Sequence, residues 1–438
     1  MKGTLAQFRS YPGTVRLLMA NQFTINLGFY MLMPYLAQHL AGTLGLAGWA
    51  VGLVLGVRNF SQQGMYLVGG TLADRLGYKT MIVTGCVLRT VAFAVLGFVD
   101  ALPALIAASV ATGLAGALFN PAVRAYLAAD AGERRVEAFA LFNVFYQAGI
   151  LLGPLVGMVL TGVDFRVTCL VAASVFGLLS VVQIRALAAR RPTDERSPGE
   201  RTGVLSQWRT VAANRPFLLF SAAMIGSYVL SFQVYLALPL EVRRLGGDGE
   251  AGTVAVAVLF AVSGLSTVLG QTRVTAWCKA RWGDGRALTW GLVVMGLAFV
   301  PLLLATAVPV PGGGAGRWLL AALPPALAAL PPALAALLLA LGQMIAYPFE
   351  MDTIVRLSGD RMVATHYGLY NTICGIGITL GNLLTGVALD AARAAGLSAL
   401  PWAVLTALGL ACAAALYGLH RSGNLTAPAG PAPRPVTL

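Results

Sequence analysis

Val68-Gly69-Gly70-Thr71-Leu72-Ala73-Asp74-Arg75-Leu76-Gly77-Tyr78-Lys79-Thr80 places two cations and one acid on a glycine-hinged turn between two long apolar runs. A bilayer requires about twenty apolar residues per helical crossing, so two crossings joined by so short a turn form a hairpin with its charges in water. The turn thereby predicts both a polytopic helical architecture and the face on which it lies.

Composition agrees. The 438 residues are 58% hydrophobic and 11% charged, and a mean hydropathy of +0.76 is too high for a chain that must cover itself with polar side chains. The formal charge of +13 would suggest nucleic acid in a soluble domain. Here the cations fall in short connections between apolar runs, so no nucleic-acid partner is expected and the lipid bilayer is the partner. Cys86, Cys169, Cys278, Cys374 and Cys412 have no paired spacing and predict neither disulfides nor a metal site. Met1 to Pro12 lacks a short apolar core ending in a cleavage site, so no removable signal is expected.

A window of about twenty residues places spans at 14–38, 47–70, 81–99, 102–126, 138–161, 166–187, 215–239, 252–277, 287–307, 332–355, 364–389 and 398–419. With both termini cytoplasmic, the inner segments collect Arg75, Lys79, Arg124, Arg134, Arg135, Lys279, Arg281 and Arg356 among others. The outer connections hold only Arg166, Arg243, Arg244, Arg317 and Arg393. The organisation predicted is a six-helix bundle over 1–187, a flexible cytoplasmic linker over 188–214, a second bundle over 215–420 and a flexible cytoplasmic tail over 421–438. Val308 to Pro332, rich in Pro and Gly, predicts an outer loop and a broken, partly re-entrant lead into span ten.

The halves share a repeat. Pro121 to Arg124 and Gly132-Glu133-Arg134-Arg135-Val136 match Pro348 to Met351 and Gly359-Asp360-Arg361-Met362-Val363 at one constant offset. Leu141-Phe142-Asn143, Gly149 and Gly153 then pair with Leu369-Tyr370-Asn371, Gly377 and Gly381. A repeat of one orientation implies halves related by an axis along the membrane normal.

These residues resemble the major facilitator superfamily. Gly70, Leu72, Asp74, Arg75, Gly77 and Lys79 match its signature between spans two and three, with Tyr78 in place of a basic residue. Gly149-Ile150-Leu151-Leu152-Gly153-Pro154-Leu155-Val156-Gly157 is similar to the motif of its drug/proton antiporters. The span-four arginine of those exporters is absent, Ser109 standing in its place. Gly56 to Gly64 and Phe165-Arg166-Val167-Thr168-Cys169 extend the resemblance to the MdtH-type multidrug efflux group. It implies an all-α integral membrane protein with the major facilitator fold, about 12 transmembrane helices in two six-helix halves. It further implies that Asp74 meets the N-terminus of span eleven and favours an outward-open state.

Physically, Gly70 and Gly77 permit close approach and a sharp turn, and an acid such as Asp74 suits a helix N-terminus; a merely solvated turn is the alternative. Gly149, Gly153 and Gly157 line one helix face suited to close packing, and Pro154 bends that helix. Antiport follows only from the resemblance. Arg58 lies near the middle of span two, where a charge needs a partner or water; with Gln62 one turn away it is a candidate to bind an anionic group or a protein carboxylate. Arg89 is a second buried cation. Glu350 and Asp352 are the candidate acids for proton coupling, since enclosure helps a carboxyl hold its proton; pairing of Glu350 with Arg124 or Arg356 is the alternative. Glu241 is expected at the outer surface, and His366 is expected to be a helix-end residue.

Candidate cavity residues, each set on one helix face, are Asn26 and Tyr30, Asn143 and Gln147, Tyr228, Ser231 and Tyr235, and Tyr367 and Asn371. Interhelical bonding is their alternative role. No phosphate-binding Gly-Lys motif, metal cluster or nucleophile with its base is evident, so no enzyme and no cofactor are expected. The expectation is a monomeric, multi-pass exporter of the inner cell membrane. It would move small amphipathic compounds, antibiotics included, by exchange for protons, with the proton gradient as energy source. Transport of one particular metabolite is the competing reading, and a polytopic membrane enzyme or a receptor fits less well.

Overall fold

The computed structural model describes residues 2–189, 203–246, 250–307 and 330–425. The expectations for 190–202 of the linker, for the loop and re-entrant lead over 308–329 and for the tail beyond 425 lie outside the described residues. Among the described residues there is no strand.

The first half comprises α1 (Gly13–Tyr30), α2 (Gly48–Leu76), α3 (Tyr78–Phe98), α4 (Leu102–Ala131), α5 (Arg135–Thr161) and α6 (Phe165–Ala186). The second comprises α7 (Arg215–Phe232), α8 (Glu250–Arg281), α9 (Gly283–Leu297), α10 (Leu330–Ser358), α11 (Val363–Ala394) and α12 (Leu400–Arg421). Met33–Gln38, Ala237–Gly246 and Val300–Ala307 continue the columns begun by α1, α7 and α9. Among the described residues, nine apolar stretches are long enough to cross a membrane, and one of them, Leu102–Thr161, contains both α4 and α5. The remaining columns are α1 and α2, which complete the twelve. Their hydropathy is lowered by Asn21, Gln22 and Asn26 and by Arg58, Asn59, Gln62 and Gln63.

Several helices overrun their apolar windows. Span two was expected to end at 70, but α2 continues to Leu76, and α3 starts at Tyr78. Gly77 alone makes the turn with φ of 92°, a conformation only glycine adopts without strain, so one residue does what ten were expected to do. Likewise α4 runs to Ala131. Arg124, counted above with the inner charges although span four reached 126, lies well inside the helix, one turn after Pro121.

The repeat is visible in the backbone. Pro121 lies inside α4 and Pro348 inside α10, and each helix is followed by a glycine with positive φ, Gly132 at 56° and Gly359 at 60°. These glycines and Gly77 lie at the same end of the bundle, the turn end. The linker, expected to be flexible throughout, contains the helix Val204–Ala212. Trp208 Nε1 of that helix donates to Thr71 Oγ1 at 2.8 Å, and Arg75 Nε donates to Gln207 Oε1 at 3.0 Å. A half-buried aromatic anchor orders what its polar neighbours would leave loose.

Candidate functional site

Between the halves runs a seam, formed chiefly by α2 against α11 and α5 against α8. At the turn end it is closed. Asp74 accepts from Ala364 N at 3.2 Å, Thr365 N at 2.7 Å and Thr365 Oγ1 at 2.6 Å, so its carboxylate caps the first turn of α11, where unpaired N–H groups carry partial positive charge. Gly70 makes this approach possible: a Cβ there would strike the Ala364 carbonyl. Lys79 Nζ donates to Ile184 O at 2.7 Å, tying the same turn to α6.

Charges extend the closure. Arg135 pairs with Asp360 at 2.8 Å and Asp352 at 3.3 Å, and Lys279 pairs with Glu137 at 2.7 Å. Asn143 donates to Gln271 across the seam at 2.8 Å. Thr4 of the short helix Lys2–Arg9 meets Thr272 of α8 at 3.3 Å, while Phe8 packs on Phe145 of α5 with ring centres 5.2 Å apart. These hydrogen bonds and ion pairs across the seam lie at the turn end or at mid-depth. Toward the other end, Leu380, Leu383, Leu384 and Val387 of α11 are exposed.

The glycines of α5 face α1 and leave no room for a side chain. Gly149 lies against Phe23 O, Gly153 against Tyr30 and Gly157 against Met31 O. Tyr35 donates to the Pro154 carbonyl at 2.6 Å, a further tie between the first column and α5. Overpacking costs about 1–3 kcal/mol. Gly157→Ala is therefore expected to lower the thermal unfolding midpoint of purified protein by about 3 °C or more. Gly64→Ala, where a Cβ meets nothing within 4 Å, should leave it unchanged; equal midpoints for both variants would refute this packing role.

At mid-depth the seam is lined by aromatic hydroxyls around one cation and one acid. Arg124 Nη1 donates to Asn371 Oδ1 at 3.0 Å, and Tyr66, Tyr146, Tyr228 and Tyr347 are its electrostatic neighbours. Glu350, 3% exposed, accepts from Tyr370 OH at 2.7 Å, with Tyr228 a further hydrogen-bond partner. Neither Arg124 nor Arg356 is in ion-pair contact with it. Arg356 instead bridges Asp352 at 3.0 Å and Asp284 at 3.1 Å, so Asp352 belongs to the charge network of the closed end rather than to the aromatic chamber.

In the first half, Gln62 Nε2 donates to Tyr66 OH at 2.7 Å, and Asn120 Nδ2 donates to the same oxygen at 3.2 Å. The Arg58 guanidinium carbon lies 5.1 Å from the Phe29 ring centre, with Asn59 as its hydrogen-bond acceptor. Arg89 lies at the same distance from that ring and 5.3 Å from Phe176. A charge at bilayer depth costs about 3 kcal/mol or more, and a ring face returns only about 0.5–2 kcal/mol.

Other expected cavity residues are placed differently. Tyr367 is fully buried, and its hydroxyl donates to Met351 O at 2.8 Å, which fastens α11 to α10. Asn26 donates to Gln22 O, and Ser231 donates to Ser227 O; each bonds its own helix. Tyr30, Gln147 and Tyr228 are half-buried, and Tyr235 is half exposed beside Phe232 and Phe260. Glu241 is not a surface acid: it is 6% exposed and held by Arg244 at 2.6 Å, because the helix Ala237–Gly246 folds it inward. His366 sits in the first turn of α11, edge-on to Phe217.

The sequence reading missed Arg124, Tyr66, Asn120, Tyr146 and Tyr347 as chamber residues. Asn120 and Arg124 are one helical turn apart, and this spacing was the available signal.

Comparison with known proteins completes the picture. The family profile described as Major Facilitator Superfamily matches residues 18–382. An uncharacterized MFS-type transporter from Mycobacterium tuberculosis is 52% identical over 424 residues, covering 97% of this chain and 96% of the relative. The multidrug resistance protein MdtH of Edwardsiella ictaluri is 28% identical over 401 residues, 91% of this chain and 92% of its own. That of Photorhabdus laumondii is 28% identical over 408 residues, 93% and 94% of the two chains.

Proposed function

Because the chain belongs to the Major Facilitator Superfamily of membrane transporters, we propose that it exports small amphipathic compounds from the cytoplasm in exchange for protons. The halves rock about the mid-depth chamber so that it opens to one side at a time. In this reading the turn end faces the cytoplasm of a cell whose inner membrane holds the protein, and the contacts of Asp74, Arg135 and Lys279 close that side.

One observation carries the reading: a single carboxyl, Glu350, is enclosed in the seam among tyrosine hydroxyls rather than in an ion pair. A carboxyl so placed gains or loses charge on taking or giving a proton, and that change alters which arrangement of the halves is favoured. The tyrosines offer flat apolar faces with polar edges, which suit amphipathic ligands without demanding one shape. The kinship with MdtH multidrug resistance proteins supports the same substrate breadth.

The test is accumulation of ethidium, Nile red and pyrenebutyrate in cells with and without the protein. At least one dye is expected to be lower in expressing cells, with a protonophore restoring it. Equal accumulation of all three would reject export of amphiphiles, whereas efflux that survives the protonophore would reject proton coupling.

A further inference from the structure

Arg58 and Arg89 share one aromatic ring and lack a counter-charge. Among the described residues neither has a carboxylate within ion-pair distance; the pairs that form use Arg135, Arg244, Lys279 and Arg356. The buried acids among the described residues are committed elsewhere, Asp74 to the start of α11, Asp352 to Arg135 and Arg356, Glu241 to Arg244, and Glu350 to Tyr370. Arg89 is 7% exposed, its Nε has no acceptor, and its Nη2 reaches only the Thr112 carbonyl at 3.5 Å. Two guanidinium groups set on the Phe29 ring at mid-membrane, one with an orphaned donor, form a positive site awaiting an anion.

The two arginines differ in access. Arg89 is walled in by Ile25, Gly85, Cys86, Ala115, Phe119 and Phe176, so no ligand reaches it directly. Arg58 is half-buried and shares a helix face with Gln62 and Tyr66. Tyr66 accepts from both Gln62 and Asn120, which leaves its own hydroxyl proton available to a ligand. Next to these donors lie the faces of Phe29 and Tyr30, rings packed edge to face at 5.2 Å.

Resting on the export reading above, we propose that the substrates of this protein are amphipathic organic anions. A carboxylate or sulfonate docks on Arg58 and the Tyr66 hydroxyl, an apolar body lies against Phe29 and Tyr30, and Arg89 supplies a second, fixed positive charge from behind. The site selects against cations, since no described residue near these arginines is a free acid and the like charge repels them.

The test uses purified full-length protein in lipid nanodiscs and three probes of one shape: pyrenebutyrate, pyrenebutyramide and pyrenebutyltrimethylammonium. Wild type is expected to bind the acid at least tenfold more tightly than the amide and to bind the ammonium most weakly. Arg58→Gln should remove the preference for the acid while leaving amide binding within about twofold, which also shows that the variant is folded. Arg58→Lys should retain part of the preference, and Arg89→Gln should reduce it without abolishing amide binding. Equal affinity of wild type for acid and amide, no binding of any probe, or an unchanged preference in both glutamine variants would overturn the proposal. Binding with the expected preference but without protonophore-sensitive movement would instead count against the export reading alone.

Discussion

Gly70→Ala is expected to leave the protein inserted in the membrane but to reduce transport at least tenfold. The added methyl would meet the Ala364 carbonyl and the Thr365 backbone, neither of which can rotate away as a side chain tip could. Close approach at Gly70 is also what brings Asp74 to Ala364 and Thr365. Forcing α2 and α11 apart thus adds a clash of about 1–3 kcal/mol and loosens hydrogen bonds to a charged group worth about 1.5–3 kcal/mol each. Even the low end of that range shifts a two-state equilibrium by more than tenfold. The closed turn end would cease to be the populated arrangement, and the cycle would stall with that end open. Cysteine labelling from the turn end reports this directly: a cysteine in place of Thr372, beside Gln63 in the seam, should react faster in the Gly70→Ala background. Wild-type transport together with unchanged labelling would show that the approach at Gly70 does not control the cycle.

Glu350→Gln is expected to abolish proton-driven accumulation, by about 100-fold, while sparing exchange of substrate down its own gradient to within a few fold. Glutamine keeps the shape of the side chain and an oxygen for the Tyr370 hydroxyl, so packing at this buried position changes little. What it lacks is a second protonation state. Reconstituted vesicles separate the two activities, since one requires an imposed pH gradient and the other only labelled substrate on both sides. Normal accumulation under a pH gradient by the variant would remove Glu350 from the coupling step and leave the charge network at Asp352 as the place to look.

The fold was legible in the chain for physical reasons. Lipid imposes a minimum apolar length, a glycine turn has few alternatives, and the repeat from Pro121 to Val136 and from Pro348 to Val363 ties the halves to a common plan. The chamber was less legible. Asn120 went unremarked within span four and Arg124, near its inner end, was counted with the charges that mark the cytoplasmic side, whereas α4 continues in helical form to Ala131 and carries both at mid-depth. Tyr66, Tyr146 and Tyr347 sit on different helices, and nothing local distinguishes a tyrosine facing the seam from one fastening two helices, as Tyr367 does. Arg58 and Glu350 stood out because an ionisable group within an apolar run is conspicuous. The Phe29 ring beside Arg58 and the Tyr370 hydroxyl on Glu350 did not, since both are neutral and lie on other helices. The helix Val204–Ala212 was lost among charged and proline-containing neighbours, although Leu205, Trp208 and Val211 carry a helical spacing.

The short helix Lys2–Arg9 straddles the boundary between the halves, one residue touching Thr272 and another Phe145. If the two bundles swing apart beneath it as proposed, a rigid eight-residue rod cannot follow both. It would then have to let go of one bundle on every turnover, as a latch fixed to one door.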